Sequence, residues 1–197
     1  PSVPHYVIAR SHSVRTATKQ PLPPLPTQRR LDLPGSPHYI GPVPAELPFI
    51  DSLDTTIEAS APAVYTALAR HLGRSLGSTS ARVACGLLGC AHRGASLANP
   101  PMEGQEASGF VVVEARAPHL LVLEGRHRFA SYRLSFTIEP LSQSRAQLSA
   151  RTDAAFPGFA GKVYRALVIG SGGHEIVARR MLAAVARRAE RAEREGG

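Results

Sequence analysis

Residues 123–140, LEGRHRFASYRLSFTIEP, read as two neighbouring half-buried β-strands with one anomaly: a histidine between two arginines stands where the first strand buries side chains. Alternation of period two assigns the faces. Extended upstream, the pattern puts Leu121, Leu123, Gly125, His127 and Phe129 on one side and Val122, Glu124, Arg126 and Arg128 on the other. The next strand turns Tyr132, Leu134, Phe136 and Ile138 inward and Arg133, Ser135, Thr137 and Glu139 outward. SGFVVVEAR (108–116) precedes this pair. SRAQLSARTDAAF (144–156) closes the set, with Ala146, Leu148, Ala150 and Thr152 opposite Arg145, Gln147, Ser149 and Arg151. Successive strands of this kind predict an antiparallel sheet with one wet, charged face and one apolar face that something must cover.

The long candidate for that cover is FPGFAGKVYRALVIGSGGHEIVARRMLAAVARRAERAE (156–193). At about 100° per residue, Val163, Leu167, Gly170, His174, Val177, Met181 and Val185 fall within about 40° of one line, which predicts a helix presenting this stripe to the sheet. The interior GSGGH is a poor helix former and predicts a local kink. At the other end, FIDSLDTTIEAS alternates as a strand from Phe49, with Leu53, Thr55 and Ile57 on one face. SAPAVYTALARHLG then predicts a short amphipathic helix: Ser60 as N-cap, proline in the first turn, Val64, Leu68 and Leu72 at fourfold spacing, Gly73 at the exit. A second helical piece through ARVACGLLGCAH (81–92) is weakened by its glycines.

Around this region the 197 residues, 43% hydrophobic and 19% charged, suit one soluble globular domain with a tail. The expected division is a proline-rich extension over 1–48, a domain over 49–192 and a short tail over 193–197. No apolar run reaches the roughly 18–20 residues of a spanning helix, so membrane insertion is not expected. The start, PSVPHYVIARSHSV, lacks the pattern of a secretory signal. Cys85 and Cys90, the two cysteines, have no companion pair and read as buried thiols of a reducing cytoplasm; no metal site is expected. The proline set, including PLPPLP, predicts an extended segment, with Leu31, Leu33, Tyr39 and Ile40 as anchors on the domain.

The net charge of +8 rests almost wholly on arginine, lysine occurring only at Lys19 and Lys162, a bias that fits the codon usage of a GC-rich bacterial genome. Basicity admits an acidic partner: nucleic acid, an anionic lipid surface or an anionic small molecule. However, the charge is spread, with +3 on residues 1–48 and +5 on the rest, and basic aromatic RNA-binding signatures are missing. A specific nucleic-acid partner is therefore not expected.

The succession of strand, short helix pair, antiparallel strands and long terminal helix resembles the helix-grip fold of the START and Bet v 1-like superfamily (SRPBCC), which includes the polyketide cyclase/dehydrase group. The likeness is carried by FIDSLDTTIEASAPAVYTALARHLG, GFVVVEARAPHLLVLEG and the closing helix, and spans roughly residues 49–192. It implies an α+β fold in which a curved antiparallel sheet wraps around the C-terminal helix, leaving a cavity used for lipids, polyketides and other apolar molecules. Some relatives catalyse cyclisation or aromatisation there, and many only bind. The tryptophan often found after the first helix is absent, and no catalytic signature transfers residue by residue.

Within such a cavity the side-chain directions bring together Leu123, His127, Tyr132, Leu134, Phe136, Thr152, Tyr164, Leu167 and His174 as candidate ligand contacts. His127 and His174 are the acid/base candidates, since an imidazole near pH 7 can accept or donate a proton. The competing reading makes each a core histidine satisfied by backbone or tyrosine. Other chemistries are disfavoured. GSGGH lacks dinucleotide and P-loop spacing, no nucleophile elbow is present, and the carboxylates mostly fall on wet positions. No cofactor is implied. The expected partner is a hydrophobic small molecule; the proline-rich extension offers a protein-interaction alternative, and oligomeric state is left open.

Overall fold

The computed structural model describes residues 15–16, 43 and 46–196; the PLPPLP segment and its proposed anchors lie outside the described residues. Seven strands form one sheet: β1 (Arg15–Thr16), β2 (Phe49–Ile57), β3 (Glu106–Ala107), β4 (Phe110–Arg116), β5 (Leu120–His127), β6 (Ala130–Ser142) and β7 (Arg145–Ala155). Their order is β1-β2-β7-β6-β5-β4-β3, every neighbouring pair antiparallel. Between β2 and the far edge run α1 (Ala61–Leu76) and α2 (Thr79–Leu88); after β7 come α3 (Gly158–Val168) and α4 (Gly173–Gly196). This is the helix-grip arrangement expected from the sequence. Breaks of register in β2, β4 and β6 add local bend to the sheet.

The alternation sets the core. Leu53 and Ile57 on β2, Leu121 and Leu123 on β5, Phe136 and Ile138 on β6 and Leu148 on β7 are all essentially fully buried on the inner face. On the outer face Glu124 and Arg133 stand opposite each other in register and form an ion pair, and Arg151 grips Asp153 through two nitrogens. Val122 is fully buried on that side as well, so the outer face is less uniformly wet than alternation suggests.

Four local expectations change. The single terminal helix is two helices, because the glycines at 170 and 172–173 end one and start the next. Gly172 adopts φ +72°, a left-handed conformation that favours glycine. The Ser171 hydroxyl serves both ends, donating to the Leu167 carbonyl at 2.6 Å and accepting from Gly173 N–H at 3.3 Å. The predicted stripe therefore splits. Val163 and Leu167 turn outward, His174, Val177 and Met181 line the space beneath the sheet, and Val185 is buried as predicted, joined by Leu182, Ala186 and Ala189 in one core with Val64, Leu68 and Leu72 of α1.

Gly73 is not the exit of α1; it is buried inside the helix, which continues to Leu76 and ends at Gly77. A Cβ on Gly73 would stand 3.0 Å from the Leu97 carbonyl oxygen, so the missing side chain permits a close loop contact. Ser60 precedes α1 without capping it, and its hydroxyl donates to Glu193 at 3.1 Å, tying the start of α1 to the end of α4. In α2 the glycines act as a terminator. Cys90 N–H bonds the Cys85 carbonyl and Gly89 N–H bonds that of Gly86, with Gly89 at φ +66°, a Schellman cap.

Since Leu182 has no exposed surface and ties α4 to the core, Leu182→Ala should cost about 2–5 kcal/mol of unfolding free energy. Urea unfolding should show a lower midpoint with an unchanged slope; a wild-type midpoint would mean that α4 contributes little to the core.

Candidate functional site

The forked C-terminal segment leaves space. A cavity of about 390 Å³ lies between the inner sheet face and α2, α3 and the first half of α4. Its wall is mostly apolar, including Leu53, Leu134, Phe136, Ala150, Val168 and Met181. The polar groups collect at two places.

The first is built by β2, β7 and the N-terminus of α4. Asp51 and Thr152 are paired across the β2–β7 ladder and share the inner face. His174, the second residue of α4, brings Nε2 to 3.3 Å from Asp51 Oδ2 and 3.2 Å from Thr152 Oγ1. Burial alone would raise the Asp51 carboxyl, but hydrogen bonding and charge from His174, with a further hydrogen bond from Thr152, outweigh it and hold the carboxyl below its ordinary value. A carboxylate facing Nε2 places the proton there, which leaves Nδ1 as the free lone pair. This is an oriented imidazole, the form in which histidine acts as a base.

The second cluster surrounds His127 at the end of β5. The residue is 8% exposed, and its ring packs among Tyr164, Tyr132 and Phe129, with centroids 5.0, 5.5 and 6.1 Å away. Phe129 N–H donates to Nδ1 at 3.2 Å, so the neutral ring carries its proton on Nε2. Burial lowers the His127 pKa, which keeps the ring neutral and makes it a hydrogen-bond donor. Beside it the Tyr132 hydroxyl donates to the Gly109 carbonyl at 2.8 Å. The Schellman cap of α2 brings Cys85 and Cys90 to the same wall as free thiols; burial pushes Cys90 up to about 12, with Cys85 adding to the effect. Such a thiol stays protonated and is a poor nucleophile.

Of the predicted ligand contacts, His127, Tyr132, Leu134, Phe136, Thr152, Tyr164 and His174 line the cavity. Leu123 and Leu167 do not. Leu123 is sealed in the core, and Leu167, displaced by the helix break, is 69% exposed. The reading of the sequence missed Asp51, although its parity with Leu53 on β2 points it inward. It also missed the cavity positions of Cys85 and Cys90, which a Gly-containing cap after a helix signals only indirectly. Among the described residues no group of three or more His, Cys, Asp or Glu is placed to hold a metal ion.

No protein-family model matches the chain, and no curated protein is similar to it. Solved structures similar to it include a conserved protein from Geobacillus kaustophilus, at 15% identity, with 73% of this chain and 94% of that one covered and a TM-score of 0.41. A START superfamily protein from Mycobacterium smegmatis is 14% identical over 76% and 99% of the two chains, with a TM-score of 0.40. A norcoclaurine synthase point mutant from Thalictrum flavum, solved with a transition-state analogue, is 13% identical over 68% and 91%, with a TM-score of 0.39. The helix-grip assignment itself rests on the strand order and helix placement described above.

The buried His127 makes a pH-dependent contribution to stability. With its folded pKa below the ordinary value of about 6.5, the unfolded chain takes up the proton first, so stability is complete above that pH and falls as pH drops through the folded value. His71, depressed by burial and by Arg188 and Arg74, adds a slope of the same sign. His127→Gln should therefore lose less stability than wild type as the pH falls from neutral through the histidine range, measured by urea unfolding. Identical slopes would mean that the imidazole is not desolvated.

Proposed function

We infer that this protein binds a hydrophobic or amphipathic small molecule, lipid- or polyketide-like in size and polarity, between the sheet and the C-terminal helices. The carrying observation is the cavity itself: about 390 Å³ of mostly apolar wall with a few convergent polar groups, the usual make-up of a small-molecule site. Native mass spectrometry of the full chain from its own host tests for a co-purifying hydrophobe. Titration with N-phenyl-1-naphthylamine should give saturable one-to-one binding, and His127→Leu and His174→Leu should each shift its affinity while the fold persists. No saturable binding, or wild-type affinity in both variants, would defeat this reading.

A second reading has its own support in the Asp51–His174 contact. A carboxylate that orients an imidazole and leaves Nδ1 free suits proton abstraction next to a carbonyl, the step that an aldol-type cyclisation or dehydration requires. His127, held neutral with Nδ1 occupied by a backbone donor, suits the complementary task of donating a hydrogen bond to a ligand oxygen. The natural substrate is not needed to test this. Exchange of the α-protons of an apolar 1,3-diketone, followed by NMR in D2O, should be accelerated by the protein and should fall by about a hundredfold in Asp51→Asn or His174→Gln. Exchange at the solvent rate in the wild type would leave binding without turnover.

A further inference from the structure

The helix that closes the cavity is apolar on both sides. In α3, Tyr164 and Val168 face the cavity, while Phe159, Val163 and Leu167, at fourfold spacing, form a stripe on the opposite, solvent side. Phe159 is 83% and Leu167 69% exposed, and Gly161 is the one buried residue of the helix. On α2, which lines the same cavity through Ala81, Cys85 and Leu88, Leu87 is 75% exposed and Val83 is exposed one turn earlier. The two helices meet the β5–β6 turn from either side. A Cβ on Gly89 would lie 3.8 Å from Arg128 Nε, and one on Gly161 would lie 3.0 Å from the Phe129 carbonyl oxygen. The exposed apolar residues thus belong to one rim, not to scattered surface positions.

The charge on this rim has a single sign. Neither α2 nor α3 contains an acidic residue, whereas Arg82, Arg128, Lys162 and Arg165 are exposed on these helices and the turn between them. Large apolar side chains flanked by cations, with no carboxylate among them, complement the interface of an anionic bilayer: the apolar groups enter the acyl boundary and the cations meet the headgroups. A protein partner with an acidic rim is less well matched, because beyond the cations the exposed polar side chains of these helices are Thr79 and Ser80, whose hydroxyls already make hydrogen bonds within the first turn of α2.

We propose that the rim formed by α2, the β5–β6 turn and α3 docks on the surface of an anionic lipid bilayer, bringing the two helices that line the cavity against the membrane. This goes beyond the ligand reading and does not depend on it. No helix among the described residues is long and apolar enough to cross a membrane, so the contact is peripheral.

The test is co-sedimentation of the full chain with phosphatidylcholine vesicles, with and without phosphatidylglycerol. Binding is expected only with the anionic lipid. The double variant Phe159→Ser, Leu167→Ser, which keeps every charge and touches no cavity residue, should lower vesicle affinity by about tenfold or more. Its binding of N-phenyl-1-naphthylamine should be unchanged, which separates loss of docking from loss of fold or cavity. Three results would overturn the proposal: no binding of the wild type to anionic vesicles; equal binding of the double variant, which would reduce the effect to the overall +8 charge; or a wild-type dimer in sedimentation equilibrium that the double variant dissolves, which would make a second copy the occupant.

Discussion

The break at Gly170–Gly173 is the constraint from which the rest of the site follows. A continuous helix from Gly158 onward would carry its residues at one phase over one line of the sheet, and the inward ones would occupy the space that is now open. Instead the left-handed Gly172 resets the direction, and Ser171 satisfies backbone groups on both sides of the interruption. Two consequences are structural. The C-terminal half of α4 is released to pack against α1 with its own stripe of Leu182, Val185, Ala186 and Ala189. The N-terminus of α4 is delivered to β2 and β7, where His174 meets Asp51 and Thr152.

The two histidines show how the same side chain is given different properties by its supports. His127 stands on a strand end, where the chain turns back after two residues; its Nδ1 is taken by the Phe129 N–H, and aromatic rings surround it. His174 stands on a helix start and faces a carboxylate. In the first case burial disfavours the imidazolium, and in the second the carboxylate fixes the orientation of the ring. Both belong to one cavity because β5 and β7 flank β6 in the sheet, while α3 and α4 close the open side.

Much of this was legible in the sequence, for reasons that differ by element. Period-two alternation over four strands placed Leu121, Phe136, Leu148 and His127 inward, because one buried face leaves only one acceptable register. The terminal helix was harder. Its periodic pattern extends through GSGGH, and periodicity carries no information about a change of direction, so it points Leu167 to the cavity although the break turns that residue to solvent. Leu123 was misplaced for another reason: alternation gives the face of a residue but not whether a cavity or packed side chains lie over it. Asp51 was within reach by parity, yet a single carboxylate at the start of a strand reads as solvated until its partner on a distant helix is known.

The charge state of the cavity wall narrows what can occupy it. Burial raises the pKa values of Tyr132, Tyr164 and Cys90, so these groups are neutral near pH 7, and it lowers that of His127, which is neutral too. Arg151 reaches the wall, but its guanidinium is held by Asp153 and lies over the Phe49 ring at 5.1 Å. The formal charge facing the cavity is then that of Asp51, shared with His174. A wholly apolar molecule would leave the imidazole and carboxylate without a ligand partner, and a strongly anionic one would meet a carboxylate already held ionised. For the ligand proposed above, such walls favour an uncharged, mostly apolar molecule whose one polar end, a hydroxyl or an enolisable carbonyl, would reach the Asp51–His174 pair, with a second oxygen accepting from His127.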